Sequence, residues 1–325
     1  MSICLRRREF IAALGGAAAW PLIARAQAYP THPITIIVPF PAGGAADVIA
    51  RLVAERMRER MDQPVVIENV GGADGNIGVG RAVRARPDGY TLCVGTMGTH
   101  VQNGAFYSLP YDVLHAFVPI APLSTIPVVL FARKGIQENN LHDLIARLKA
   151  HADRASVGTN SLSLRLVATL FEKQTGTRLI HVPYRAAVSV LEDWVAGRTD
   201  LAMDTPIRLP LVRSGSIKAL AVTSETRLVV APDIPTFAEM GLPAPSYSQW
   251  YGLFAPMGTP ANIIERLNLA AVEGLADPAV AARLAPFGMQ LFPHERQTPQ
   301  ALAAMQKADA EKWWPLIKEF GIKAE

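Results

Sequence analysis

Between Pro33 and Thr96 apolar runs alternate with amphipathic ones, and this alternation constrains the fold more than any other feature of the chain. "PITIIVPF" (33–40), "QPVVIENV" (63–70) and "YTLCVGT" (90–96) have the β-branched, apolar make-up of buried strands. Between the first two, "ADVIARLVAERMRERM" places Ile49, Leu52, Val53 and Met57 on one helical face, with Arg51, Glu55 and Arg58 opposite. "IGVGRAVRARPDG" (77–89) predicts a second helix. A β-α-β-α-β order predicts a parallel sheet covered by helices. Ligands of such sheets sit outside the carboxyl ends of the strands. The loops at those ends are "PFPAGG", "NVGGADGN" and "GTMGTHVQN", and all three are polar or glycine-rich.

The first loop leads straight into a helix. Gly43 and Gly44 let the backbone turn tightly and bring its N–H groups close to anything bound there. The helix N-terminus adds unpaired donors and a positive field, so the place suits an anion. Asp47, in the first turn, occupies the same field. It reads either as a brace for the loop or as the partner of a ligand amine or hydroxyl.

Further on, "STIPVVLFAR" (124–133) predicts one long strand, in which Pro127 marks an edge or a crossing. Helices and strands then alternate again to "IKALAVTS" (217–224), a second α/β unit. A strand around "WYGLFAP" (250–256) and three C-terminal helical runs follow. The expected fold class is therefore α/β with two lobes, each a mainly parallel sheet flanked by helices, and a cleft between them. The expected boundaries are 1–28 for a leader, 29–124 for the first part of lobe 1, 125–245 for lobe 2 and 246–325 for the return to lobe 1. Crossings near 124–127 and 242–248 would form a hinge.

The leader has the parts of a signal peptide: Arg6, Arg7 and Arg8, a short apolar stretch broken at Pro21, and small residues at Ala26 and Ala28. Cleavage after Ala26 or Ala28 fits, by the twin-arginine or the general secretory route. The leader holds four arginines and one glutamate. The chain's formal charge of +4 therefore drops to +1 without it, and no basic stripe argues for nucleic acid. Cys4 lies in the leader, so Cys93 is left without a disulfide partner and the core alone must stabilise the remainder.

Motifs for chemistry are missing. There is no G-x-S-x-G elbow, no phosphate-loop consensus and no complete G-x-G-x-x-G, and the seven histidines show no tight metal spacing. The sequence predicts neither an enzyme nor a metal or cofactor site.

"VPFPAGGAADVIAR", "ENVGGADGNIG", "HVPYRAAVSVLEDWVAGRTDLAMD", "APDIPTFAEMG" and "WYGLFAPMGTP" occur in this order. Together they resemble the Bug family of periplasmic solute receptors of tripartite tricarboxylate transporters, over roughly residues 30 to 320. The resemblance implies a type II-like periplasmic binding protein, a monomer whose two lobes close on a small carboxylate. It would pass that carboxylate to membrane permease subunits, with no nucleic acid, no cofactor and no catalysis. A sensor or signalling role for the same binding protein is the alternative.

By the resemblance, the ligand is held by backbone amides and hydroxyls. The first lobe would offer Phe40, Gly43, Gly44, Asp47, Gly72, Asn76, Thr96 and Thr99. The second would offer Thr159, Asn160, Ser161, Tyr184, Arg185, Ala186 and Asp204. A carboxylate needs several converging donors, which such a set supplies without a buried fixed cation. Two residues depart from the family pattern: Arg165 stands where a histidine is common, and Ala186 where a glycine is. Asn76 also reads as a local cap, Arg185 as either a ligand partner or a solvated side chain, and Trp250 and Tyr251 as either packing or cleft aromatics.

Overall fold

The structure, a computed structural model, describes residues 29–184, 187–242 and 247–324. The predicted leader, Arg185 and Ala186, and residues 243–246 of the second predicted crossing lie outside the described residues.

The first predicted strands form as β1 (Ile34–Val38), β2 (Val65–Asn69) and β3 (Thr91–Thr96), paired in parallel with β1 in the middle. The helix between β1 and β2, α1 (Ala45–Met61), buries the predicted face of Ile49, Leu52, Val53 and Met57. The helix between β2 and β3, α2 (Asn76–Val83), ends six residues before the predicted limit at Gly89. Three antiparallel strands complete this first sheet: β4 (Phe117–Pro127), β10 (Ser248–Pro256) and β11 (Gln290–Leu291), giving the order β11-β4-β10-β3-β1-β2.

The second sheet contains β5 (Val129–Arg133), β6 (Ser156–Thr159), β7 (Ile180–Pro183), β8 (Leu201–Asp204) and β9 (Ile217–Val222), in the order β7-β6-β8-β5-β9. Its helices include α5 (Leu162–Thr175) and α6 (Ala187–Val195); the short helix α3 (Asn103–Phe106) belongs to the first lobe, and α4 (Leu141–Ala150) follows β5. The architecture is two-lobed α/β, but each sheet is mixed. The trios β2-β1-β3 and β7-β6-β8 are parallel, whereas β4, β5, β9 and β10 pair antiparallel. The reason is topological. Parallel neighbours need a helical crossover, and the strands that carry the chain from lobe to lobe have none.

The apolar run 124–133 is therefore two strands in two sheets. β4 ends at Pro127 and β5 begins at Val129, with Val128 alone between them. Strand alternation then divides β5 between two cores: Leu130 packs in a cluster that also contains Cys93 and Phe254 of lobe 1, while Val129 and Phe131 pack with Trp194 and Leu209. The two crossings are joined by one buried threonine. The Val128 N–H donates to Thr223 Oγ1 at 2.9 Å, and that hydroxyl donates to the Tyr247 carbonyl at 2.6 Å.

After β3, where the sequence reads as a loop, Gly98–Gln102 forms a π-helical turn. His100 in this turn is fully buried, with its ring 4.3 Å from that of Phe254 and 4.8 Å from that of Phe117. The short helix α7 (Leu209–Arg213) lies between β8 and β9, and the C-terminal helices α8 (Ala261–Leu275), α9 (Pro278–Leu284) and α10 (Pro299–Glu319) follow β10. Trp313 on α10 and both Trp250 and Tyr251 on β10 are buried, so these aromatics pack in the core.

Candidate functional site

The loop after β1 is held from beneath by Asp47. Its Oδ2 accepts from the Gly43 N–H and from Arg51 Nε, both at 2.9 Å, and its Oδ1 accepts from Asn69 Nδ2 at 2.9 Å. Asn69 Nδ2 also donates to the Phe40 carbonyl at 3.1 Å. Burial pushes the Asp47 carboxyl up, but the hydrogen bonds from Arg51, Gly43 and Asn69 outweigh it and hold the group below the usual carboxylate range. Both oxygens are thus engaged within the loop, which is the geometry of a brace.

Gly43 has φ +83°, the left-handed region that disfavours a Cβ. Gly44 has φ −79° and ψ 171°, which any residue adopts, and it is the N-cap of α1 without a side-chain acceptor. The expected need for a special backbone angle therefore falls on Gly43 alone.

In the second loop Gly72, Ala73, Asp74 and Gly75 all have positive φ, between 48° and 121°. Two non-glycine residues in a row in this region cost on the order of 1–2 kcal/mol each. Gly75 is the N-cap of α2, again without a side-chain acceptor. Asn76 opens that helix. Its Oδ1 accepts from Asn103 Nδ2 at 2.7 Å and from the Tyr111 hydroxyl at 3.4 Å, while its Nδ2 is buried and has no partner.

Thr96 and Thr99 are both 1% exposed. The Thr96 N–H donates to Thr99 Oγ1 at 3.0 Å and the Thr99 N–H to Thr96 Oγ1 at 3.1 Å, and Thr99 Oγ1 meets His100 Nδ1 at 2.9 Å. Their hydroxyls lock the turn that follows β3.

On the second lobe, Ser161 is the N-cap of α5, its hydroxyl accepting from the Leu164 N–H at 3.2 Å. Thr159 is buried at the end of β6 and Asn160 is partly exposed beside it. The Tyr184 hydroxyl donates to Asp193 Oδ2 and meets Thr199 Oγ1, both at 2.8 Å within its own lobe. Burial raises the Tyr184 pKa, so it stays a neutral phenol. Asp204 accepts from the Thr205 N–H at 2.7 Å and from Arg208 Nε at 2.8 Å. Arg185 and Ala186 lie outside the described residues. No hydrogen bond or ion pair engages the Arg165 guanidinium among the described residues.

Strand register brings these loops together. Val38 pairs with Asn69 and Thr159 with Pro183, so the loops after β1 and β2 are neighbours, as are those after β6 and β7. The third loop joins the second, because a Cβ on Gly75 would lie 2.6 Å from Thr99 Cγ2. One residue absent from the predicted set links the lobes: Asp74 Oδ2 accepts from the Leu162 N–H of α5 at 3.2 Å and from the Tyr107 hydroxyl at 3.1 Å. The Ser163 hydroxyl donates to Gln102 Oε1 at 2.6 Å across the same seam.

Asn69, Arg51 and Asn103, the other unpredicted members, stand at the ends of the quoted loops and motifs, where nothing in the sequence marked them as supports; Asp74 had a signal, the single acidic residue in "GGADGN". Two surface hollows of about 490 Å³, one against Tyr107, Tyr111 and Trp314 and one between Arg60 and Leu269, are lined by none of the predicted ligand residues.

The edge thus offers two helix N-termini with glycine N-caps and no side-chain acceptor, plus the unpaired Asn76 amide. Together they can receive an anion through neutral donors. Among the described residues no cluster of three or more histidine, cysteine, aspartate or glutamate side chains is placed to hold a metal ion.

Comparison with known proteins agrees with this architecture. Residues 49–322 match the model of the tripartite tricarboxylate transporter family receptor. The periplasmic binding protein BugD superposes with a TM-score of 0.82 at 32% identity, covering 91% of this chain and all of that one. MatC of Rhodopseudomonas palustris with bound malate gives 0.81 at 32% identity, covering 89% of this chain and 100% of that one. A protein of R. palustris with adipate gives 0.83 at 31% identity, covering 91% and 99%. With four of its five predicted motifs wholly inside the matched span and its two-lobed fold shared with these proteins over about nine-tenths of its length, the chain belongs to the tripartite tricarboxylate transporter receptor family, the Bug-type periplasmic solute-binding proteins, which are receptors and not enzymes.

Proposed function

We propose that this receptor captures a small organic acid between its lobes and delivers it to the membrane permease of its transporter. The N-terminus of α1, which starts after glycine with no side-chain cap, and the unpaired Asn76 amide at the adjacent strand end carry this reading. Backbone donors from residues 40–44 other than Gly43 and from Gly72 to Asp74, with the Asn76 side-chain amide, receive one carboxylate, and Thr159 to Ser161 approach from the other lobe. Asp47, Thr96, Thr99, Tyr184 and Asp204 act one step back, holding these loops in shape. Similar proteins bound to malate and to adipate support an organic acid as the ligand class.

Calorimetry of the mature protein against a panel of organic acids tests this reading. Binding at micromolar concentration or tighter, with compaction in small-angle scattering, is the expected result. No binding to any carboxylate at millimolar concentration would sink it. Delivery is tested by uptake of the identified acid in cells with and without this receptor.

A further inference from the structure

Three helices of eight residues or more with described N-caps begin at the cleft edge, and their N-termini differ in what faces them. Those of α1 and α2, both on lobe 1, start after glycine and have no side-chain acceptor. That of α5, on lobe 2, is filled. Ser161 caps the Leu164 N–H, and the Asp74 carboxylate reaches from the opposite lobe to the Leu162 N–H. Asp74 is held there by the Tyr107 hydroxyl and by its backbone, since its carbonyl accepts from Asn103 Nδ2 at 3.1 Å and its φ is +50°. A strained backbone that points a carboxylate across the seam is over-determined by these contacts.

We propose that Asp74 is a specificity-determining residue that acts as an internal anion. It occupies the α5 N-terminus that the second carboxylate of a dicarboxylate would otherwise use, so the cleft selects acids with one carboxylate and a neutral or donor group at the far end. The proposal rests on the carboxylate-receptor reading and narrows it. The physics is direct. A second carboxylate at this end would meet a like charge within a few ångströms in a partly desolvated seam, with the nearest N–H donor already taken. An alkyl, hydroxyl or ammonium end meets no such opposition, and the last two would find an acceptor in Asp74.

The test uses the six-carbon pair hexanoate and adipate, which differ in one terminal carboxylate. Affinities are measured for the wild type, Asp74→Gly and Asp74→Asn. Glycine suits the positive φ and removes the charge, and asparagine tolerates that φ, keeps an acceptor and removes the charge. Amide exchange at Leu162, without ligand, reports in parallel whether Asp74 holds the helix end.

The adipate-to-hexanoate affinity ratio is expected to rise at least tenfold in Asp74→Gly and by less in Asp74→Asn. Exchange at Leu162 is expected to accelerate at least tenfold in Asp74→Gly. A ratio unchanged by both substitutions, or wild-type adipate binding at least as tight as that of hexanoate, overturns the selection. Exchange unchanged in folded Asp74→Gly overturns the contact itself. If the wild type binds no acid of any kind while Leu162 exchange still responds, the receptor reading fails, and the proposed ligand choice with it, but the seam contact stands.

Discussion

Asn69 and Asp47 face each other across the base of the first loop, the Asn69 amide nitrogen donating to the Asp47 carboxylate at 2.9 Å and to the Phe40 carbonyl at 3.1 Å. One side chain thus ties the end of β2 to both ends of the loop that follows β1. Replacing Asp47 by asparagine leaves one acceptor where three donors converge. The expected loss of stability is about 1–3 kcal/mol, since one donor is left buried and unpaired. The acid response follows from the lowered Asp47 pKa. The group's contribution is complete above the unfolded carboxylate value and is lost as pH falls through the lower folded value. Urea unfolding of the wild type and Asp47→Asn between pH 7 and pH 2 should therefore converge at the acid end. A constant gap across that range would contradict the ionised brace.

Gly43 and Gly44 separate backbone need from ligand space. A Cβ on Gly44 has only the Pro41 carbonyl oxygen nearby, at 3.7 Å, and the backbone there is ordinary. Gly44→Val should fold with little change in Tm yet bind the ligand about tenfold to a hundredfold more weakly, the worth of a lost donor to a charged group. Gly43→Ala should cost about 1 kcal/mol in stability through its positive φ, even though open space surrounds the new methyl. Thermal unfolding and calorimetry on both variants check the distinction. Wild-type affinity in a folded Gly44→Val would leave these glycines as turn residues only.

His100 should make the protein acid-sensitive. Complete burial against Phe117 and Phe254 lowers its pKa to about 3, so the imidazole is neutral in the folded state. The unfolded chain binds a proton near pH 6.5, and the folded one does not. Stability from this site is therefore whole above about pH 6.5 and declines as pH falls towards 3, by roughly 1.4 kcal/mol per pH unit. His100→Asn should lower stability at pH 7 through the space it leaves, but flatten the slope between pH 6 and pH 4. Chemical unfolding across that interval measures it, and an unchanged slope would mean that the ring protonates in place.

Thr223 is the tie between the crossings. Thr223→Val keeps the shape but leaves the Val128 N–H and the Tyr247 carbonyl without their hydroxyl partner. The site is 1% exposed, so water cannot readily substitute. A loss of about 2–4 kcal/mol is expected, from two buried groups at about 1–2 kcal/mol each. If the crossings are the hinge on which the proposed closure turns, ligand-dependent compaction should change as well. Unchanged stability and unchanged scattering would remove Thr223 from that role.

The sequence made the repeating elements legible because burial on one face leaves a period that can be read. α1 is the clear example, with all four predicted core residues buried. The run 124–133 misled because both halves are buried except at Thr125 and Arg133, and near-continuous apolarity carries no mark of a change of sheet; only Pro127 signalled it. At the site, the glycine loops were legible through their composition. Their supports were not. Asn69 lies 22 residues from Asp47, and Asn103 27 residues from Asn76, so no local pattern links them. Thr96 and Thr99 carried the right chemistry for a ligand but use it on each other, an outcome set by the π-helical turn that residue type alone does not foretell.

The position of β10 bears on the order in which the chain can fold. Ser248–Pro256 lies in the middle of the first sheet, between β3 and β4, so a sheet begun at Ile34 cannot close until residue 256 has emerged. Until then the inner edges of β3 and β4 remain unpaired. The five strands of the second sheet lie in one interval, from Val129 to Val222, and the further backbone bonds of Val222, to Pro235 and Phe237, come from close by in the sequence. Its lower loop-closure cost favours assembly of the later-encoded lobe first. The lobe that holds both chain ends of the described fold would then mature last, with β10 as its closing piece.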